Sequence, residues 1–316
     1  MTEIDNVIAK IRALKTPTII ENEPMSKLTT FKIGGPIRAV VFPNSFEAVE
    51  PVITAIKRGG LEPLFLGNGS NLLCTDDPIE RIAVCSRPDG SGYQPYTELL
   101  PGSRIAASSG SLLGRLAMVA MTNGLSGLEW SSGIPGTLGG AVKMNAGAYG
   151  GEMSQVIETV TVISPSRKEL TLSNDACQFS YRHSRFCSDD SEFITAAVIK
   201  LQPGDPAEIQ SKMRELSKRR KDKQPIDLPS AGSTFKRPKD GYAAELIEKA
   251  GLKGYRTGGA AVSEKHSGFI VNLGGAVCSD VLRVMEHVQE EVLRQFGIEL
   301  EPEVKIIDNV LPIRYR

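Results

Sequence analysis

The stretch Ser126 to Gly151, SGLEWSSGIPGTLGGAVKMNAGAYGG, constrains this chain more than any other. Glycine and alanine dominate it, with scattered Ser, Thr and Asn and few charges. Side chains this small leave main-chain N–H groups uncovered, and glycine admits the positive-φ turns that aim several of them at one anion. A second segment has the same character, LGNGSNLL from Leu66 to Leu73. One glycine cluster is ordinarily a tight turn. Two of them, one too long and too apolar for a surface turn, point to loops that grip an anion such as a diphosphate with main chain. The chain has no GxGxxG after an early strand and no GxxxxGK[ST]. A bound dinucleotide would therefore not sit on a Rossmann turn.

Lys plus Arg and Asp plus Glu both total 37, so the formal net charge is zero. That balance argues against nucleic acid and the membrane surface as partners, since both demand excess positive charge. No apolar run approaches the roughly 18 residues of a membrane span. The first residues, MTEIDNVIAKIRALKTP, carry acids and an amphipathic spacing without a signal-peptide core, so a cytoplasmic location is expected. A monomer is expected. The five cysteines, Cys74, Cys85, Cys177, Cys187 and Cys278, form no CxxC pair, and His183, His266 and His287 lack metal-ligand spacing. Free, buried thiols and no metal centre follow.

Periodicity predicts a helix over 4–14 and a strand over Arg38–Phe42. A second helix follows Ser45, with Val49, Val52, Ile53 and Ile56 inward, although Pro51 argues for a later start. PLFL then runs into the first glycine loop, a β-α-β unit. From Ile82 to Gly204 short strands dominate, RIAAS, VIETVTVIS, KELTL and EFITAAVIKL, around a helix from Ser111 to Asn123 capped by Ser111. Asp205, Pro206 and Glu208 open a third unit with a capping box. Further helices are expected over Gly241–Gly251 and Ser279–Gly297, the latter with Val281, Met285, Val288, Val292 and Phe296 on one stripe. GFIVNLG is expected as a strand. Uneven alternation of helix and strand implies the α+β class, in domains 1–78, 79–204 and 205–316.

Besides the glycine loops, three segments look too specific for scaffold: SYRHSRF (Ser180–Phe186), PSAGSTFKRP (Pro229–Pro238) and LEPEVKII (Leu300–Ile307). With LGNGSNLL and SGIPGTLGGAVKMNAGAYGGE they occur in the order found in one family. The chain resembles the UDP-N-acetylenolpyruvoylglucosamine reductases from about Leu28 to Ile307. That resemblance implies a two-subdomain FAD-binding unit of vanillyl-alcohol-oxidase type and a C-terminal α+β substrate domain. It also implies FAD and NADPH as cofactors. The FAD pyrophosphate would lie on Gly67, Asn68, Gly69, Ser70 and Asn71 and on Ser132, Gly133, Ile134, Pro135, Gly136, Thr137, Gly139 and Gly140. The implied reaction is reduction of the enolpyruvyl group of UDP-N-acetylglucosamine enolpyruvate, with hydride from flavin N5 to C3 and a proton to C2.

Negative charge then develops at C2 and on the carboxylate, and preorganised donors are the usual answer. By the resemblance, Arg182 binds the substrate carboxylate, for which a planar fork is suited. Glu303 helps to stabilise the intermediate, best as an acid kept protonated by burial. Ser233 delivers the proton to C2. Taken singly, Arg182 would be a surface ion pair, Ser233 a turn residue and Glu303 a solvated strand end. Lys223, Lys236, Arg237 and Lys305 are the implied diphosphate and nucleotide contacts, and His266 lies near substrate in relatives. No tyrosine occurs between Arg182 and Ser233, so the sequence resembles the shorter branch of the family, which lacks a tyrosine lid. Two alternatives stay open: an FAD-dependent oxidase of the same fold, and a non-catalytic flavin or sugar-nucleotide-binding protein.

Overall fold

The computed structural model describes residues 2–43, 45, 47–87, 95–164, 167–188 and 191–309. It divides into two compact units. The first comprises Met1–Glu21, Ala39–Asn68 and Arg81–Lys218, the second Asn22–Arg38, Gly69–Glu80 and Arg219–Arg316. The architecture is α+β, the expected class.

The first unit has two apolar cores. One lies between helices Glu3–Ala13 and Val49–Arg58, and both helices bury the residues that their spacing selects, Ile4, Val7, Ile8 and Ile11 against Val49, Val52, Ile53 and Ile56. Full burial of each such side chain contributes roughly 1.5–3 kcal/mol. Thr2 and Asp5 cap the first helix reciprocally. The second begins at Val49 rather than near Ser45, which puts Pro51 in the first turn, where a missing N–H breaks no helical bond. At its end a Cβ on Gly59 would lie 2.1 Å from Val7 Cγ2, so only glycine lets the helices approach.

The predicted β-α-β neighbours are not adjacent. Strand Ile79–Cys85 inserts between Pro36–Phe42 and Leu64–Leu66, and pairs parallel with the latter. Around the second core, a five-stranded antiparallel sheet runs in the order Arg167–Ser173, Ile157–Ser164, Phe193–Lys200, Arg104–Ser108, Thr97–Leu100. Four of these were expected, whereas Thr97–Leu100 carries no apolar alternation and was not. The helix beside them runs Leu113–Thr122 and is not capped by Ser111. The Ser111 hydroxyl instead donates to Tyr96 O at 3.2 Å, a bond that fastens the preceding loop.

Inside the glycine-rich stretch a short helix forms, Leu138–Lys143, with Thr137 as its cap. Sequence pattern did not mark it, because three of its six residues are glycine or alanine. Helix Pro206–Lys223 starts as expected. Asp205 Oδ1 accepts from Ala207 N at 2.6 Å and from Glu208 N at 3.2 Å.

In the second unit, a four-stranded sheet has the order Ser230–Ser233, Phe269–Asn272, Ala260–Val262, Arg256–Thr257. Helix Cys278–Phe296 buries Val281, Val284, Met285, Val288 and Val292 against the unit's core. Phe296, expected on that stripe, is exposed at the last helical position before Gly297 turns the chain with φ +68°. Val284 takes the inward place that the expected stripe missed. Strand Lys305–Ile307 pairs parallel with Leu72–Cys74, so the ends of two distant segments meet edge to edge.

Candidate active site

In the first unit the two glycine loops meet. Asn68 Nδ2 donates to Pro135 O at 2.7 Å, and a Cβ on Gly67 would stand 2.4 Å from Thr137 Oγ1. Gly139 is as tightly placed: its N–H donates to Ser109 O at 2.8 Å, and its Cβ would fall 2.8 Å from Ser109 Cβ. Gly136 and Thr137 are buried, while Gly133, Pro135 and Gly140 reach the surface. Ser132 and Ile134 are consumed in the turn itself, the hydroxyl of Ser132 bonding Glu129 O and the N–H of Ile134 bonding Ser131 O. The main-chain N–H groups of Asn68, Gly136 and Thr137 find no acceptor among the described residues. Buried or half-buried donors of this kind need a partner, and an anion supplies one. The cradle therefore fits a diphosphate held by main chain.

Arg182 sits on the tip of a tight turn in the same unit. Ser180 and His183 exchange both main-chain hydrogen bonds, at 3.0 and 3.1 Å. Arg182 takes φ +53°, a left-handed conformation that disfavours most side chains. Its guanidinium donates from Nη2 to Gly147 O at 2.9 Å and lies 5.1 Å from the centre of the Tyr181 ring. The turn is fastened below. Asn145 Nδ2 donates to Ser180 O at 2.9 Å, and Ser184 Oγ to Lys143 O at 2.7 Å. The organising stretch thus carries the arginine as well as the glycine cradle. Trp130 packs under this stretch. Its Nε1 donates to Gly127 O at 2.9 Å, and Gly151 is so close to the indole that a Cβ would fall 2.2 Å from Cδ1.

The second unit brings the segments that carry Ser233 and Glu303 together. Glu303 N donates to Thr234 O at 2.8 Å, and Lys236 N to Glu301 O at 2.8 Å, so the two segments run side by side with Phe235 opposite Pro302. Ser233 is exposed, Glu303 half-buried. The Glu303 carbonyl also accepts from Asn71 Nδ2 at 3.2 Å, and Lys305 N donates to Asn71 O at 2.9 Å. Asn71, expected at the cofactor, hence also fixes the strand that carries Glu303. Gly69 precedes it with φ +60°, its would-be Cβ 2.2 Å from Leu28 O.

The other expected substrate contacts fall in this unit too. Lys223 ends its helix exposed, and its charge reaches His266. The His266 imidazole is held below its usual pKa, chiefly by burial, and is further lowered by Lys253 and Lys223. Its Nδ1 accepts from Gly268 N at 3.2 Å, and its ring meets Phe269 edge-on. Lys236 pairs with Glu301, and the Arg237 guanidinium stacks 4.1 Å from the Tyr242 ring centre. Lys305 differs from Lys223 in being buried, with 6% exposure.

A glycine cradle set in an α+β frame without a Rossmann turn fits a dinucleotide diphosphate, and the family models make its class that of the flavin-dependent oxidoreductases. The family model described as an FAD binding domain matches residues 37–173. A second model, UDP-N-acetylenolpyruvoylglucosamine reductase, C-terminal domain, matches residues 224–307. The chain belongs to the UDP-N-acetylenolpyruvoylglucosamine reductase family. The reductase of that name from Caldanaerobacter subterraneus is 46% identical over 93% of this chain and 95% of its own length. That from Clostridium novyi is 42% identical over 97% and 98%. The solved structure of the reductase from Thermus caldophilus is 32% identical and superposes with a TM-score of 0.74, covering 92% of this chain and 98% of its own.

Proposed function

We propose that this chain reduces the enolpyruvyl group of UDP-N-acetylglucosamine enolpyruvate to the lactyl ether of UDP-N-acetylmuramate at the expense of NADPH, in peptidoglycan precursor synthesis. The observation that supports the reading is the main-chain ladder that runs residues 233–236 alongside 301–304. FAD, when bound, would supply the two-electron redox chemistry that links NADPH to the double bond. Gly67, Asn68, Gly136 and Thr137 would hold its diphosphate.

The chain's own residues answer the charge that develops at C2. Arg182 grips the substrate carboxylate with a planar fork and orients the double bond. Ser233 gives its hydroxyl proton to C2 and recovers one from solvent, to which it is exposed. Glu303 shares in stabilising the charge on the carboxylate side. Lys223, Lys236, Arg237 and Lys305 serve the diphosphate and nucleotide, with His266 beside Lys223. Residues 1–78 and 79–204 form the two flavin subdomains, and 205–316 the substrate domain. The enzyme is expected to act in the cytoplasm as a monomer, and none of the described helices is long and apolar enough to cross a membrane.

Anaerobic stopped flow on Ser233→Ala tests the assignment. NADPH should bleach the yellow protein at the wild-type rate, while reoxidation by the enolpyruvyl substrate slows by about 10²–10⁴-fold. Equal loss of both half-reactions would refute the proton-donor role. Rapid reoxidation by oxygen, with none by the sugar nucleotide, would favour an oxidase instead.

A further inference from the structure

Asn145 has no exposed surface and takes φ +42°, a left-handed conformation that asparagine tolerates better than most residues. A buried amide must place each of its polar atoms. Its Nδ2 donates to Ser180 O at 2.9 Å, and its Oδ1 accepts from Ser154 N at 2.9 Å. Turning the amide over would set the oxygen against a carbonyl and the NH2 against an N–H, so only one orientation serves. Two residues further on, Gly147 O accepts from the Arg182 guanidinium at 2.9 Å. Both ends of the arginine are therefore referred to one short segment, its main chain through Asn145 and its side chain through Gly147.

We infer that Asn145 is a positioning residue for Arg182, acting through the Ser180–His183 turn. Rotation of a left-handed residue on a two-residue turn swings its side chain through a wide arc. A non-glycine residue stays in such a conformation only where the surroundings over-determine it. Of the bonds that tie Ser180–Cys187 to the end of the Leu138–Lys143 helix, those of Ser184 and Cys187 both reach Lys143 O and hold the chain after the turn. Asn145 holds the chain before it. Loss of the amide frees one side of the turn and lets the arginine fork drift from the carboxylate.

The inference rests on the reading of Arg182 as the carboxylate ligand, and its test separates the two. Asn145→Asp keeps shape and the acceptor for Ser154 N but sets a carboxylate oxygen against Ser180 O. Asn145→Gly removes the clamp at a φ that glycine adopts freely. In both, reoxidation of the reduced flavin by the enolpyruvyl substrate should slow roughly 10- to 100-fold, the cost of a misplacement of about 1 Å. Reduction by NADPH should change far less. In an Arg182→Ala background the Asn145 changes should add nothing. Hydrogen exchange supplies a readout apart from activity, with the Ser180 and His183 amides exchanging faster while the rest of the first unit keeps its protection. Wild-type reoxidation, additive losses in the Arg182→Ala background, or exchange that quickens uniformly would each overturn the inference. Should Arg182→Ala itself leave reoxidation unchanged, the carboxylate reading fails, and the exchange pattern alone then decides whether Asn145 holds the turn.

Discussion

In the first unit the residue proposed for the substrate carboxylate is held by side chains, whereas in the second the residues proposed for proton transfer and charge stabilisation are held by main chain. Arg182 depends on the amide of Asn145 and the hydroxyl of Ser184 to fix its turn. Ser233 and Glu303 are set by the bond from Glu303 N to Thr234 O and its neighbours in the ladder. A ladder bond is available to almost any residue type, so the second arrangement should survive substitution next to the site. A side-chain clamp tolerates little. The glycine cradle lies with the first arrangement, for there the side chain is specified by its absence.

Gly67→Ala probes the less tolerant region with the largest effect. The new methyl would stand 2.4 Å from Thr137 Oγ1, which caps the Leu138–Lys143 helix by accepting from Gly140 N. Relief requires the two loops to part, and overpacking of this kind costs about 1–3 kcal/mol. FAD affinity should fall by about 100-fold, which is near 2.7 kcal/mol. The flavin-to-protein absorbance ratio after gel filtration measures it. Full flavin content with an unchanged Tm would show the cradle to be softer than its geometry implies.

These contrasts also explain what could be read from sequence. The glycine loops were legible because close approach and positive φ exclude other residues, and the short motifs because their order along the chain matches one family. The apolar stripes of helices Glu3–Ala13 and Cys278–Phe296 were legible from spacing, apart from Phe296 at a frayed end. Strand Thr97–Leu100 was not, for an edge strand with exposed Glu98 and Leu99 has no inward face to pattern. Neither was the pairing of Lys305–Ile307 with Leu72–Cys74, since main-chain pairing between distant segments leaves no periodic mark. Asn145 was passed over inside the glycine-rich run. Its signal was an asparagine among small residues, where a positive φ and a side-chain clamp coincide.

Thr234→Val tests the tolerant region. Thr234 is buried, and its Oγ1 accepts from Ile270 N at 3.1 Å, while its own carbonyl holds Glu303. Valine keeps the shape and removes only the hydroxyl, leaving a buried N–H unpaired at a cost of about 1 kcal/mol. Urea unfolding should record that loss while reoxidation by substrate stays within about threefold of wild type, well inside the 1.4 kcal/mol of a tenfold change. A collapse of reoxidation comparable with that of the Asn145 variants would erase the distinction between the two units.

The smallest effect is electrostatic and belongs to the second unit alone. Burial, aided by Lys253 and Lys223, holds the His266 pKa below 6.5, while its own peptide hydrogen bond and Glu248 pull it upward. The unfolded chain therefore binds a proton on this ring at a pH where the folded chain does not. Stability should rise as pH climbs through the ordinary histidine range and fall as pH drops from about 6.5 toward the lower folded value. Tm measured from about pH 5 to pH 8 should show a shallower acid-side decline in His266→Gln, which cannot be protonated there. Lys223→Ala should move the same way by less, because it removes one of the lesser contributions and leaves the burial intact. An identical slope in all three proteins would mean that the imidazole is solvated in the folded chain.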